Sequence, residues 1–216
     1  MMELFTIVRD NADVYGKAIG TTLLASGFAI VFALFLGLIL AVMRDSRFAV
    51  LSGFARLYVS FFRGTPLLLQ ILILYNGLVV LQLTGFQALA FGLSLHFSAY
   101  ISESFRAAIS SVDRGQWEAA DSLGIPRRKT FKDVILPQAL SRAIPPLSNS
   151  VIDIIKSTSL GTIVAVEELT YVSDQISATT YLVMPLLLFS AAIYWIMSTL
   201  IQGVQHRLEA RFSIPE

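Results

Sequence analysis

Cysteine is absent from the 216 residues, which excludes a disulfide framework, a thiolate metal site and a cysteine nucleophile, and leaves redox compartment unmarked. Histidine occurs twice, at positions 96 and 206, too few to build a metal centre without thiolates. Charge is scarce: 14% of the residues are Asp, Glu, Lys or Arg, against about a quarter in soluble domains. The net charge of +1 makes no case for nucleic acid. No G-x-x-x-x-G-K-[ST] occurs. Gly16-Lys17 lacks the earlier glycine and the following hydroxyl, and LSGF at Leu51 is a fragment, so no nucleotide site or ATP hydrolysis is expected in this chain. The N-terminal MMELFTIVRDNADVYGK lacks both a basic n-region and a small-residue cleavage site, and is expected to be mature sequence.

Apolar residues take the place of charge, at 55% of the chain with a mean hydropathy of +0.70. The run from Ala18 to Met43 carries no charge and exceeds the ~20 residues that span hydrocarbon. From Gly64 to Ser102 charge is again absent, with Asn76, Gly77, Gln82, Thr84 and Gly85 interrupting as turn-formers; two helices, over 56–81 and 87–110, fit here. A fourth span is predicted over 140–164 and a fifth in the charge-free stretch Gln175 to Gln205. The fold class is therefore all-α: one polytopic membrane domain covering 1–216, with five transmembrane helices.

Orientation follows from lysine and arginine, which stay with cytoplasmic loops. Arg44, Arg47 and Arg56 follow the first span. Arg114, Arg127, Arg128, Lys129, Lys132 and Arg142 lie between the third and fourth, and Arg207 and Arg211 follow the fifth. The other side holds Arg9 and Lys17 beside Glu167, Glu168 and Asp174. The N-terminus is thus expected outside and the longest inner loop, 113–137, in the cytoplasm.

That loop reads as two short helices. Gln116 to Leu123 is good helix former, Gly124 stands where a left-handed cap belongs, and Pro126 opens a second helix that feeds the fourth span. Trp117, Ala119, Ala120 and Leu123 offer small and apolar surface to a second protein, and the mixed charges around them could set its register. The same residues would also suit an interfacial helix pair on membrane lipid, where each basic residue is attracted by about 1 kcal/mol. Chemistry alone does not separate the two.

Within the spans, Glu103 and Asp153 are costly unless paired or hydrated. Asp153 can pair with Lys156, and Glu103 with Arg106 or Arg63. Alternatively, His96, Tyr100 and Glu103 share one helix face, with Ser98 nearby, and Asn149 with Asp153 another, a set suited to binding a polar solute. A proline at 66 with Arg63 could mark a kink. An ion-coupled carrier using Glu103 and Asp153 as a proton relay is a second class, but five spans do not divide into inverted repeats.

Glu118, Ala119 and Ala120, then three residues, Gly124, and ten more before Ile135, Leu136 and Pro137 resemble the EAA loop of membrane permeases in ABC importers. FRGTPLLLQ from Phe62, AYISESFRAAISSVDRGQWEAADSLG from Ala99 and LPQALSRAIPPLSNSVIDIIKSTSL from Leu136 resemble the polar amino-acid permeases of histidine, glutamine and arginine uptake. These stretches cover about half of the chain. The resemblance implies a permease of the bacterial cytoplasmic (inner) membrane that pairs with a second permease, two ATPase subunits and an extracytoplasmic amino-acid-binding protein. ATP and Mg would be used by the ATPase, and this chain would hold no cofactor. It further implies that 113–137 forms coupling helices contacting the ATPase through Trp117, Glu118, Ala119, Ala120, Ser122 and Gly124. The substrate residues expected are Glu103, Asp153, Tyr100, Asn149, His96 and Ser98. Asp153 departs from the pattern in permeases for uncharged amino acids, and an added anion favours a basic cargo such as arginine, lysine or histidine. Uncharged polar amino acids or cystine are the alternative.

Overall fold

A computed structural model describes residues 2–77, 80 and 82–212. Its elements are helical throughout the described residues, beginning with α1 (Met2–Asp10), α2 (Ala12–Arg44), α3 (Ala49–Gly64) and α4 (Leu67–Leu72). Then come α5 (Gly85–Ser110), α6 (Arg114–Ser122), α7 (Arg127–Thr130) and α8 (Leu136–Ser157), and last α9 (Leu169–Thr180) and α10 (Val183–Phe212).

The core is the packing of α2 on α5, with α8 packed against both. A helix as apolar as α2 has no polar face to orient it, and side-chain size does so instead. Ala18, Thr22, Ala25, Ala29, Ala33 and Gly37 form a buried small-residue stripe that lets two backbones approach closely. At Gly37 the approach is closest: an added Cβ would stand 2.6 Å from Ile101 Cγ2. The opposite face, with Leu24, Val31 and Phe35, is exposed, as lipid contact requires.

Two helices, α2 and residues 183–207 of α10, are long and apolar enough to cross a membrane, and a bent pair would make a third if it forms one span. That pair divides the single helix expected over 56–81 at the kink offered at Pro66. α3 stops at Gly64, and 67–77 leaves at 107° to it. The cause is Pro66, which has no N–H for the carbonyl of Phe62 and holds Thr65 in an extended conformation (φ −119°, ψ 147°). The fourth expected span is also divided, since α8 ends at Ser157 and a tighter 3₁₀ turn runs Thr158–Val164. The fifth span is α10, with α9 a separate helix before it.

From Arg127 to Ser157 the chain is helical without a break, through α7, a wide turn over Phe131–Ile135, and α8. The wide turn lies immediately before Pro137, whose ring would press on the carbonyl four residues back in a regular α-helix. Pro145 and Pro146 are inside α8.

Candidate functional site: an elbow, a rod and a polar cleft

The elbow between α6 and α7 is built by a complete Schellman motif. The N–H of Ile125 bonds Ala120 O at 3.0 Å and that of Gly124 bonds Asp121 O at 3.0 Å. Gly124 has φ +68°, the left-handed conformation that glycine adopts without a Cβ penalty. Asp113 caps the start of α6 by accepting from Gly115 N at 2.6 Å. Pro126 stands at the N-cap of α7, one position earlier than a first helical residue.

Of the residues expected at the elbow's outer surface, Glu118, Ala119, Ser122 and Gly124 are exposed, and so is Leu123 at 77%. Trp117 and Ala120 turn inward. Ala120 is buried, and Trp117 packs on Val112, Ile135 and Ala139. Trp117 fastens the elbow to the base of α8, and neither residue presents surface.

The rod from Arg127 to Ser157 carries the elbow's position to a cleft between α5 and α8. His96, Phe97, Tyr100, Ser150, Asp153 and Lys156 are among the residues lining a volume of about 560 Å³. A second recess of about 430 Å³ shares Tyr100 and Ser150 and continues past Glu103 to Arg142. Arg142 donates to the carbonyl of Ser111, where α5 ends, and so ties the rod to α5 at this level.

Neither carboxylate is free. Asp153 Oδ1 is 2.8 Å from Lys156 Nζ, with both side chains about half exposed. Glu103 is surrounded by three guanidinium groups: Arg44 bonds Oε2, Arg63 lies 3.8 Å from the same oxygen, and Arg106 reaches Oε1 at 2.5 Å. Arg63 also stacks over Tyr100, 5.3 Å from the ring centroid. Arg44 closes α2, so this cluster locks the end of α2 to α5. Its net charge is positive, which does not suit a cationic ligand.

Ser98 is fully buried and bonds Tyr58 Oη at 2.9 Å; it faces α3 rather than the cleft. Asn149 is exposed, and its neighbour Ser150 lines both recesses instead. Tyr100 and His96 do line the cleft.

Two residues were not anticipated. Gln70 is buried, and its Nε2 donates to Phe62 O at 3.1 Å, Thr65 O at 3.1 Å and Thr65 Oγ1 at 2.8 Å. Thr65 in turn donates to Phe61 O at 2.8 Å. The carbonyls released by Pro66 are thus satisfied by side chains, giving FRGTPLLLQ a physical role. An amide four residues beyond a proline, in a charge-free run, was the available signal. Glu168, read as an outer-loop charge, is fully buried. It caps α9 by accepting from Thr170 N and Tyr171 N, and also binds Thr162 Oγ1 and Tyr194 Oη.

An all-helical bundle with a small-residue core, a capped elbow and a polar cleft along one rod defines a membrane transport component. The chain belongs to the family of binding-protein-dependent transport system inner membrane components, which matches residues 33–214. It is 40% identical over 202 residues to the probable amino-acid ABC transporter permease PatM of Vibrio harveyi, covering 91% of each chain. It is 40% identical over 184 residues to the L-cystine transport system permease TcyB of Bacillus subtilis, covering 84% of this chain and 79% of that one. The crystal structure of an amino acid ABC transporter with histidines superposes with a TM-score of 0.90 at 32% identity, covering 94% and 96%. The protein is an amino-acid ABC transporter permease, a membrane component and not an enzyme. Membership implies an ATPase and a binding protein as partners and the inner membrane as location, and it displaces the ion-coupled carrier.

Proposed function

We propose that this permease pairs with a second permease subunit, takes up two ATPase subunits at its elbows and an extracytoplasmic amino-acid-binding protein at its outer face, and passes the amino acid along the α5–α8 cleft. The observation that carries this reading is the unbroken helix from the elbow at Pro126 to Asp153 in the cleft. At 1.5 Å per residue it transmits displacement over about 40 Å. ATP-driven closure of soluble subunits moves the elbow, and the rod then moves one wall of the cleft against α5. The basic residues at the ends of α2 and α5 and at the elbow support an N-terminus outside.

Recognition is best explained by Asp153 with Lys156. A zwitterion exchanges their mutual bond for two, its α-ammonium meeting the carboxylate and its α-carboxylate meeting the ammonium. This pairing does not require a cationic side chain. The guanidinium groups around Glu103 remove that residue as a second anion for arginine or lysine, so basic and uncharged polar amino acids are both accommodated. Glu103 is the counter-ion of the arginine cluster, and Tyr100 the wall between the two recesses.

The test is direct binding of labelled glutamine, arginine and cystine to the purified permease–ATPase complex in nanodiscs, without the binding protein and its own selectivity. Asp153→Asn is expected to weaken binding of every amino acid by about tenfold, the loss of one charge-assisted hydrogen bond. Loss confined to arginine would restore a basic-specific site, and unchanged binding would remove Asp153 from recognition.

A further inference from the structure

The break at Pro66 has a consequence for the chemistry of the cleft. Gln70 Nε2 has two hydrogens, and its three neighbouring acceptors are Phe62 O, Thr65 O and Thr65 Oγ1. Two carbonyl oxygens cannot face an amide oxygen, so the orientation of this side chain is determined by its partners and not by choice. Its Oε1 therefore points the other way, where it lies 3.1 Å from His96 Nδ1. An amide oxygen only accepts, and His96 must donate to it.

A neutral imidazole carries one proton. With that proton on Nδ1, Nε2 holds a lone pair. His96 lines the cleft on α5, facing Asp153 and Lys156 on α8, and its Nε2 has no protein partner among the described residues. We propose that Gln70, held by the proline break, fixes His96 as the Nδ1–H tautomer, so that Nε2 is a hydrogen-bond acceptor that selects amino acids with a side-chain N–H donor. Glutamine, asparagine, arginine, lysine and histidine qualify. Glutamate and methionine offer no such donor and are disfavoured. Gln70 is a positioning residue, acting through His96. The inference rests on the cleft being the amino-acid site, and it names the side-chain class that site takes.

The chain has two histidines, and His206 is 77% exposed near the C-terminal end, so nitrogen NMR of the histidine-labelled permease, assembled with unlabelled ATPase, resolves each ring once His206→Gln assigns the second. At neutral pH the His96 spectrum is expected to show a protonated Nδ1 and a bare Nε2. Gln70→Leu is expected to release the ring to a mixture of tautomers. A bare Nδ1, or an imidazolium protonated at both nitrogens, overturns the proposal. Glutamine binding to the permease–ATPase complex is expected to shift Nε2, and His96→Leu to lower the preference for glutamine over methionine by about tenfold. An unchanged preference overturns the selectivity even where the tautomer is as expected. If Asp153→Asn leaves all binding intact, the cleft itself is not the site, a failure distinct from either of these.

Discussion

Glu103 shows how a side chain's meaning depends on what faces it. On a helix face with Tyr100 and His96 it resembles a ligand for a cationic solute. In the folded protein three arginines from α2, α3 and α5 converge on its two oxygens. Removing the anion leaves three partly buried guanidinium groups repelling one another. Glu103→Gln is expected to destabilise the permease by about 1–3 kcal/mol, below the value for a fully buried network because the cluster is partly solvated. The measurement is thermal unfolding of the detergent-solubilised protein. Substrate affinity at the α5–α8 cleft is expected to stay within twofold of the parent, and a selective loss of arginine affinity with unchanged stability would return Glu103 to the binding site. The in-helix partner Arg106, three residues on, was legible from spacing, and Arg63 from composition. Arg44 was not, because its approach depends on α2 packing along α5 in one register.

At the scale of elements, the local punctuation was readable and the long-range geometry was not. Gly124 before Pro126 announces a helix stop, and the structure has φ +68° there with a full Schellman pair of hydrogen bonds. Continuity of α7 with α8 also followed from the sequence. A kink at Pro66 was offered by the sequence but its size was not, since prolines are tolerated within membrane helices when neighbours satisfy the freed carbonyls; the neighbour here is Gln70, whose role appears only once its amide is placed. Inward and outward faces of α6 were likewise hidden, because Trp117 and Ala119 both look apolar until the wide turn and α8 supply Ile135 and Ala139 as a packing surface for Trp117. Gly124→Val puts a β-branched residue in a left-handed conformation with open space around it, which strains the backbone by about 1–3 kcal/mol without a steric clash. It is expected to shift the elbow and abolish the stimulation of ATP hydrolysis by loaded binding protein, while amino-acid binding persists. Normal stimulation in reconstituted vesicles would show that the elbow's shape is not what couples the two subunits.

Across the whole molecule, the proposed function places three devices in series: an elbow fastened by Trp117, an unbroken rod through α7 and α8, and a cleft whose opposite wall, α5, is held by α2. The small-residue stripe of α2 and the arginine cluster around Glu103 make α5 the fixed wall. On that proposal, motion entering at the elbow is expected to appear as displacement of Ser150, Asp153 and Lys156 relative to His96 and Tyr100. The class was legible in the sequence because hydropathy and the coupling loop are local patterns. Cargo was less so, since Asp153 alone suggests a cation whereas Asp153 beside Lys156 suits a zwitterion.

The most direct test of this account is a crosslink at the elbow. Because the chain has no cysteine, Ser122→Cys supplies a single thiol on the exposed face of α6. In the assembled complex it is expected to crosslink to the ATPase in high yield, with the yield and the accessibility of the thiol changing between nucleotide-free and ATP-bound states. Locking that bond is expected to stop amino-acid uptake until it is reduced. A thiol that stays freely accessible in the working complex, with transport continuing, would contradict the account.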